Sequence, residues 1–125
     1  MKLTDQSLAA VSWALNWSIM TRFVHPDPKD FTLDALLHAL SDPARRAIVK
    51  ALASDKACEG KGLACAAAAP PTLPKSTMSH HYSVLRAAGL VRATKEGTAV
   101  IHTLRCDEVE VRFPGVLAAV LAAEA

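Results

Sequence analysis

The chain is 125 residues long, a length that predicts a single domain with a moderate hydrophobic core. Hydrophobic residues make up 51% of it but aromatic residues only 5%, so we expect a core of mainly Ala, Leu and Val. The net charge is only +2, and neither a secretion signal nor a membrane-spanning run is recognisable. These features argue against a secreted or membrane protein and predict a cytoplasmic one, with its three cysteines as thiols.

A first helix is predicted from Thr4 or Asp5, either of which can cap it, to about Phe23. Its two apolar stripes indicate two packing partners, the helix's own domain and a second subunit, although a fully buried core helix would show the same pattern. The prolines of the segment 25–29 then end the helix and predict a stiff linker. Residues 1–24 are therefore expected to form an N-terminal helical extension of the single domain 1–125.

Two further helices are predicted next along the chain. Thr32 can cap the first, and Asp42 followed by Pro43 is a typical start for the second. The spacing of their side chains predicts an inward face with Leu33, Leu36, Leu37, Leu40, Ile48, Val49 and Leu52, and an outward face with Arg45, Arg46 and Lys50. His38 borders the apolar stripe without a partner at helical spacing, which indicates a boundary residue rather than a metal ligand.

The segment 73–90 carries the clearest helical pattern, since Pro74 opens it and Gly89 closes it. A shorter helix over Leu63–Ala69 is predicted before it, and must end at Pro70 and Pro71. At about 100° per residue, the inner face of the longer helix holds Met78, Tyr82 and Leu85. The opposite face is small and polar, with Ser76, His80 and Ser83 flanked by Thr77 and Ser79. Such a face suits the major groove of DNA, although an ordinary surface helix can look the same.

Two strands, Leu90–Thr94 and Ala99–Leu104, are predicted after this helix and are joined by Lys95–Thr98. Helices followed by a glycine-turned hairpin are typical of a winged helix-turn-helix, so we predict a mainly α fold with this core over residues 32–105. Residues 41–105 carry ten basic and four acidic residues, whereas residues 106–125 carry one and four. The positive charge thus lies on the segment that contains the predicted DNA-binding face.

The last segment, 106–125, is predicted to be helical and is interrupted by Pro114 and Gly115. Asp107 can cap its first part. Its second part has one apolar face but too little chain to fold back on, so we expect a symmetric contact between two subunits. A two-fold dimer would match a palindromic operator in double-stranded DNA.

Two stretches of the sequence carry a family resemblance. The segment Lys75–Val91 resembles the DNA-reading helix of ArsR/SmtB-type bacterial repressors, and Ala39–Val49 resembles the start of that family's core. The resemblance extends roughly from Leu33 to Leu121 and implies a homodimeric transcriptional repressor released by an effector. The chain has prolines where family members usually have a short glycine-containing turn.

The expected DNA contacts follow from the polar face and the cations around it. Short side chains on the helix would contact bases or nearby phosphates, and cations at its ends would hold the DNA backbone. The hairpin of residues 90–104, called the wing, would contact a flanking phosphate or the minor groove. The short side chains are those of Ser76, Thr77, Ser79, His80 and Ser83. The cations at the helix ends are Lys75 and Arg86, and the wing residues are Arg92, Lys95 and Thr98. His81 points toward the Met78 side and is expected to buttress the helix, while its place beside His80 keeps it a candidate contact.

The three cysteines, Cys58, Cys65 and Cys106, are the candidates for effector sensing. Three thiolates would suit a soft metal or metalloid ion, and two of them could instead form a redox disulfide. The resemblance implies such sites without completing one, since Leu63 stands where a Cys-x-Cys pair would need cysteine. No cofactor is required, and small buried or idle thiols remain an alternative.

Enzyme motifs are missing from the sequence: there is no phosphate-binding loop, nucleophile elbow or His-Glu-x-x-His. We therefore predict a DNA-binding regulator that is not an enzyme. The alternative is a winged-helix protein-interaction module that does not read DNA sequence, which the low net charge and the proline-filled turn would suit.

Overall fold

The computed structural model describes residues 23–54 and 63–124, and for residues 63–66 the backbone only. The helix predicted over 4–23, and with it its role in a dimer, therefore lies almost entirely outside the described residues. A single 3₁₀ turn, Pro28–Asp30, is followed by α1 (Leu33–Ala39), α2 (Pro43–Ser54), β1 (Leu63–Ala64), α3 (Cys65–Ala68), α4 (Lys75–Ala87), β2 (Val91–Glu96), β3 (Ala99–Leu104), α5 (Cys106–Arg112) and α6 (Val116–Ala123). The predicted fold class, a mainly α winged helix-turn-helix, is confirmed.

The starts of α1 and α2 are those that the sequence predicts. Thr32 Oγ1 accepts a hydrogen bond from the Ala35 N–H at 3.1 Å. Asp42 Oδ1 accepts from the N–H groups of Ala44 and Arg45 at 2.8 and 3.2 Å. These bonds satisfy donors that the first turn of a helix leaves without a partner, which places both helix starts.

The core lies between α1, α2, α4 and one face of the sheet, and its largest fully buried side chains include Leu36, Ile48, Leu52, Tyr82 and Leu85. The predicted inward faces of α2 and α4 are confirmed. The predicted stripe of α1 is too wide, because Leu33 and Leu37 are 46% and 47% exposed. A helix of seven residues turns only one narrow edge toward the core, and Leu36 and Leu40 occupy it.

The sheet has the strand order β1-β3-β2 and is antiparallel. Strand β2 runs to Glu96, which pairs with Ala99, so the hairpin turn consists of Gly97 and Thr98 rather than the predicted four residues. The helix predicted from Leu63 begins only at Cys65, since Leu63 and Ala64 pair with His102 and Ile101 of β3. Helical spacing within a short alanine-rich run could not reveal this pairing with a distant strand.

The C-terminal segment folds back on its own domain, which corrects the expectation that it is too short to do so. Leu117 of α6 is buried, and three further apolar side chains pack against the core: Val116, Val120 and Leu121. The end of α6 is tied to the start of α2 by an ion pair between Arg46 Nε and Glu124 Oε1 at 2.7 Å. Asp107 lies in the first turn of α5 and does not cap it, because Arg105 occupies the capping position.

Residues 23–31, here called the strap, contact the end of α4, strand β2 and Arg105. Phe31 is buried beneath Gly89. The Arg105 guanidinium lies 4.9 Å from the centre of the Phe31 ring and donates to the Pro26 carbonyl at 2.9 Å. His25 Nε2 accepts from the Ala93 N–H at 2.9 Å. Because β2 lies at the edge of the described sheet, this last bond satisfies a donor on an edge strand.

Gly89 provides a test of how tightly the strap packs. Its φ is +86°, and an added Cβ would overlap the Phe31 ring, with Cδ1 only 2.6 Å away. We expect Gly89→Ala to lower the free energy of unfolding, measured in urea, for two reasons. Left-handed backbone strain costs about 1–2 kcal/mol, and overpacking against Phe31 costs about 1–3 kcal/mol. Gly97→Ala is the matched control. The φ of Gly97 is +63°, but no atom lies within 4 Å of an added Cβ, so this variant should lose only the stability that backbone strain costs. Equal losses in the two variants would contradict the close packing of Phe31.

His25 gives the folded protein a pH dependence. Burial, and then the charges of Arg92, Arg105 and Arg86, hold the pKa of the His25 imidazole below its ordinary value. The unfolded chain therefore binds a proton at His25 near pH about 6.5, where the folded protein does not. Since the unfolded state binds more protons, this contribution to stability is complete above that pH and is lost as the pH falls toward the lowered pKa.

We expect His25→Gln, whose amide oxygen can still accept from Ala93 N–H but does not titrate, to lose less stability than the wild type between about pH 7.5 and 5.5. The measurement is the midpoint of thermal unfolding at both pH values. His80→Gln removes an exposed imidazole and should retain the wild-type pH dependence. A His25→Gln profile that parallels the wild type would show that the strap does not titrate in this way.

Candidate nucleic-acid interface

The polar face of α4 points to solvent along its length. Tyr82 and Leu85 anchor the opposite face in the core. Of the predicted contact residues, Lys75, Ser76, Ser79, His80 and Ser83 are exposed, and Thr77 and Arg86 are half-buried. The structure thus confirms the predicted orientation of the helix. The contact of these residues with DNA stays a prediction.

His81 is the exception among the predicted contacts. It is only 7% exposed and points into the domain, where its Nδ1 lies 3.2 Å from Nη1 of Arg45. Its Nε2 faces Asp42 Oδ1 at 4.0 Å. A side chain held in this way has no route to a base edge, so His81 is removed from the direct contacts and retains the buttressing role. Consecutive helical residues point about 100° apart, which is why His80 is exposed and His81 is not.

Arg45 holds α1, α2 and α4 together, although the sequence pattern placed it on the outward face. It is 6% exposed. Its Nε donates to the Ala39 carbonyl at 2.7 Å and its Nη2 to the His38 carbonyl at 3.0 Å. These carbonyls end α1, where the helix dipole favours a cation. Arg46 adds a third such bond, from Nη1 to the Leu40 carbonyl at 2.9 Å.

The signal that could have identified Arg45 is its place beside Asp42 and the buried residues of α2. A helix wheel puts position 45 between Val49 and Leu52, within the inward face of α2. Because a guanidinium can only donate, the facing Nδ1 of His81 must accept, which leaves the His81 proton on Nε2, toward Asp42. His81 therefore lies between the Arg45 guanidinium and the Asp42 carboxylate, and joins α4 to the α1–α2 turn.

The two predicted cations of the wing differ in their surroundings, since Lys95 is exposed and Arg92 is ion-paired. Lys95 and Thr98 are exposed near the hairpin turn. Arg92 is 45% exposed, and its Nη2 lies 3.3 Å from Glu108 Oε1 on α5. Glu108 also accepts from Arg105 Nε and Nη2 at 3.0 and 2.8 Å. The Arg105 hydrogen bonds, assisted by Arg92, hold the pKa of Glu108 below its ordinary value, so this carboxylate partly neutralises Arg92.

The cysteines can be described only at one position. Cys106, at the start of α5, is half-buried and disulfide-bonded. Cys58 and the side chain of Cys65 lie outside the described part of the chain. Within that part, no group of three or more His, Cys, Asp or Glu side chains is arranged to hold a metal ion. The described helices also include none with the length and hydropathy needed to cross a membrane.

Comparison with known proteins places this geometry in a family. A profile of the helix-turn-helix domain matches residues 40–93, which include α2, α3 and α4. A helix-turn-helix-type transcriptional regulator of Methanocaldococcus jannaschii is 35% identical over 75 residues, which cover 60% of this chain and 80% of the relative. Another, from Bacillus subtilis, is 34% identical over 83 residues, or 66% of this chain and 79% of the relative. With these relatives and an exposed polar face on α4, the chain belongs to the helix-turn-helix transcriptional regulators, a class of non-enzymatic DNA-binding proteins.

Proposed function

We propose that the protein is a homodimeric, sequence-specific repressor of the ArsR/SmtB type that binds a palindromic operator. The observation that carries this proposal is the exposed face of α4, whose short hydroxyl and imidazole side chains stand on a rigid, buried inner face. A helix with no long acidic side chain on that face can lie in the major groove, where hydroxyls and an imidazole can bond to base edges. Ser76, Thr77, Ser79, His80 and Ser83 are the residues in this role.

Cations around this face would position the protein on the backbone. Lys75 and Arg86 lie at the two ends of α4, and Lys95 lies on the wing. Contacts of this kind to phosphates set register and orientation, and supply salt-dependent affinity. Arg92 joins this group when it exchanges its ion pair with Glu108 for one with a phosphate.

Two copies of the chain would bring two α4 helices to successive major grooves, with half-site centres about 34–36 Å apart. Among the described residues, four large apolar side chains are exposed and available for contact with a second copy of the chain: Val24, Leu33, Leu37 and Val111, of which Val111 is 83% exposed. The apolar face of α6 does not belong to this set, because Leu117 is buried and Val116, Val120 and Leu121 are partly buried against the core of their own domain.

For the effector we propose thiol chemistry rather than a three-thiolate metal site. The disulfide at Cys106 supports this choice, since a sulfur in a disulfide is not a thiolate ligand. Two thiols lose two electrons and two protons to an oxidant of the peroxide or disulfide class when such a bond forms. Cys106 begins α5, beside the wing-binding Glu108, so a change there can alter how the wing is held.

A protein-interaction module that does not read sequence remains the second candidate. The ion pair of Arg92 with Glu108 favours it, because it lowers the positive charge of the wing. A gel shift with DNA from upstream of the protein's own coding sequence separates the two. A repressor should prefer this DNA at physiological salt, whereas the module should bind only at low salt and without preference.

The salt dependence of affinity tests the phosphate contacts. We expect Lys75→Ala and Arg86→Ala each to flatten the slope of log affinity against log salt by about one unit, because each removes one phosphate contact. Arg112→Ala on α5 is the control, a cation outside the proposed interface whose loss should leave the slope unchanged. An unchanged slope for both α4 variants would remove them from the interface.

Substitution of the two neighbouring histidines of α4 should affect different properties: His81→Ala the stability, and His80→Ala the binding of DNA. His81→Ala leaves the buried Arg45 guanidinium with one partner fewer, so we expect a loss of about 1–3 kcal/mol in the free energy of unfolding. His80→Ala should change that free energy by less than about 0.5 kcal/mol. It should weaken operator binding by about 1–3 kcal/mol if its imidazole bonds a base. Urea unfolding and gel shifts on both variants make the comparison, and a reversed pattern would contradict the assigned roles.

A further inference from the structure

A cleft with a volume of about 250 Å³ lies between α4, strand β3 and the strap. Its apolar walls come from all three elements: Met78 and Tyr82 from α4, Val100 from β3, and Phe23 from the strap. The volume exceeds the roughly 150 Å³ of a protein cavity that holds benzene. It is somewhat smaller than the roughly 300–1,000 Å³ of sites for drug-sized ligands. The cleft therefore has room for a molecule with a single aromatic ring or two fused rings.

The charge around this cleft selects the kind of molecule. Lys75 and Arg86 line it from near the two ends of α4, and none of the described side chains that line it is acidic. The Arg86 guanidinium lies 4.8 Å from the centre of the Phe23 ring, so the aromatic wall itself holds a cation in place. A ligand with a flat apolar body and one carboxylate would match both the walls and the cations.

We propose that this cleft binds a small aromatic carboxylate. Lys75 and Arg86 are also the proposed phosphate contacts, so a carboxylate bound to Arg86 at the Phe23 wall competes with DNA for that cation. The ligand thus acts on a cation at the edge of the proposed DNA-binding face, separately from the cysteines. The competition part of this inference rests on the proposed function, whereas the binding part does not.

Binding is tested first without DNA, with 2-naphthoate as the probe and the full chain labelled at its methyl groups for NMR. We expect saturable shifts of the Met78 and Val100 methyl signals with a dissociation constant of about 1 mM or tighter. The neutral 2-naphthamide has nearly the same shape and should bind at least about tenfold more weakly, because it lacks the charge-assisted hydrogen bond. Equal binding of the two probes, or shifts confined to other methyl groups, would overturn the proposal.

Two variants test whether 2-naphthoate binds in this cleft and whether Arg86 binds its carboxylate. Val100→Phe narrows the cleft from β3 without removing a proposed DNA contact, and should abolish 2-naphthoate binding while the thermal unfolding midpoint shows that it is folded. Arg86→Gln should bring the affinities for 2-naphthoate and 2-naphthamide close together, a readout that does not depend on how Val100→Phe folds. Undiminished 2-naphthoate binding by Val100→Phe, or an unchanged ratio in Arg86→Gln, would place the ligand elsewhere.

The competition is read from gel shifts with upstream DNA. We expect 2-naphthoate to raise the apparent dissociation constant of the wild type and to leave that of Val100→Phe unchanged. Binding of 2-naphthoate without any effect on wild-type DNA affinity would overturn the competition. If the wild type binds no DNA even without the probe, the proposed function fails, and the NMR experiment still decides whether the cleft binds the carboxylate.

Discussion

The buried guanidinium of Arg45 is the interaction on which the arrangement of α1, α2 and α4 depends. It bonds two carbonyls that end α1 and faces His81 of α4, so one cation fixes three helices relative to one another. Leaving such a buried charge without partners costs about 3–5 kcal/mol, so the helices cannot shift apart cheaply. Directional bonds of this kind add a defined orientation to apolar packing, which by itself is non-directional.

The strap has the same role on the other side of the molecule. Phe31 packs under the turn that ends α4, His25 bonds the edge of β2, and Arg105 joins the strap to Glu108 on α5. The position of the wing relative to α4 therefore depends on residues that precede the helix-turn-helix in the chain. Contacts between these parts connect the strap, the wing and α5 to the C-terminal end of α4.

The DNA-binding face and the carboxylate cleft share α4, and this has a physical reason. The cleft opens on the inner side of α4, beside Met78 and Tyr82, and Lys75 and Arg86 lie between that side and the exposed polar face. Cations that attract phosphate also attract a small carboxylate. A site at that place can couple binding of a small molecule to release of DNA without a large conformational change.

Local features of the sequence were sufficient for the helix starts at Thr32 and Asp42, the inward and outward faces of α4, and the hairpin, because caps and helical spacing act within a few residues. Tertiary structure alone decided which groups bond Arg45, the pairing of β1 with β3, and the return of α6 onto its own core. Each of these depends on a partner that the local pattern does not specify: the carbonyls that end a neighbouring helix, a strand almost 40 residues away, or an apolar surface formed by other elements. Helical periodicity shows which side of a helix is apolar, and the partner that covers it is determined only when the chain folds.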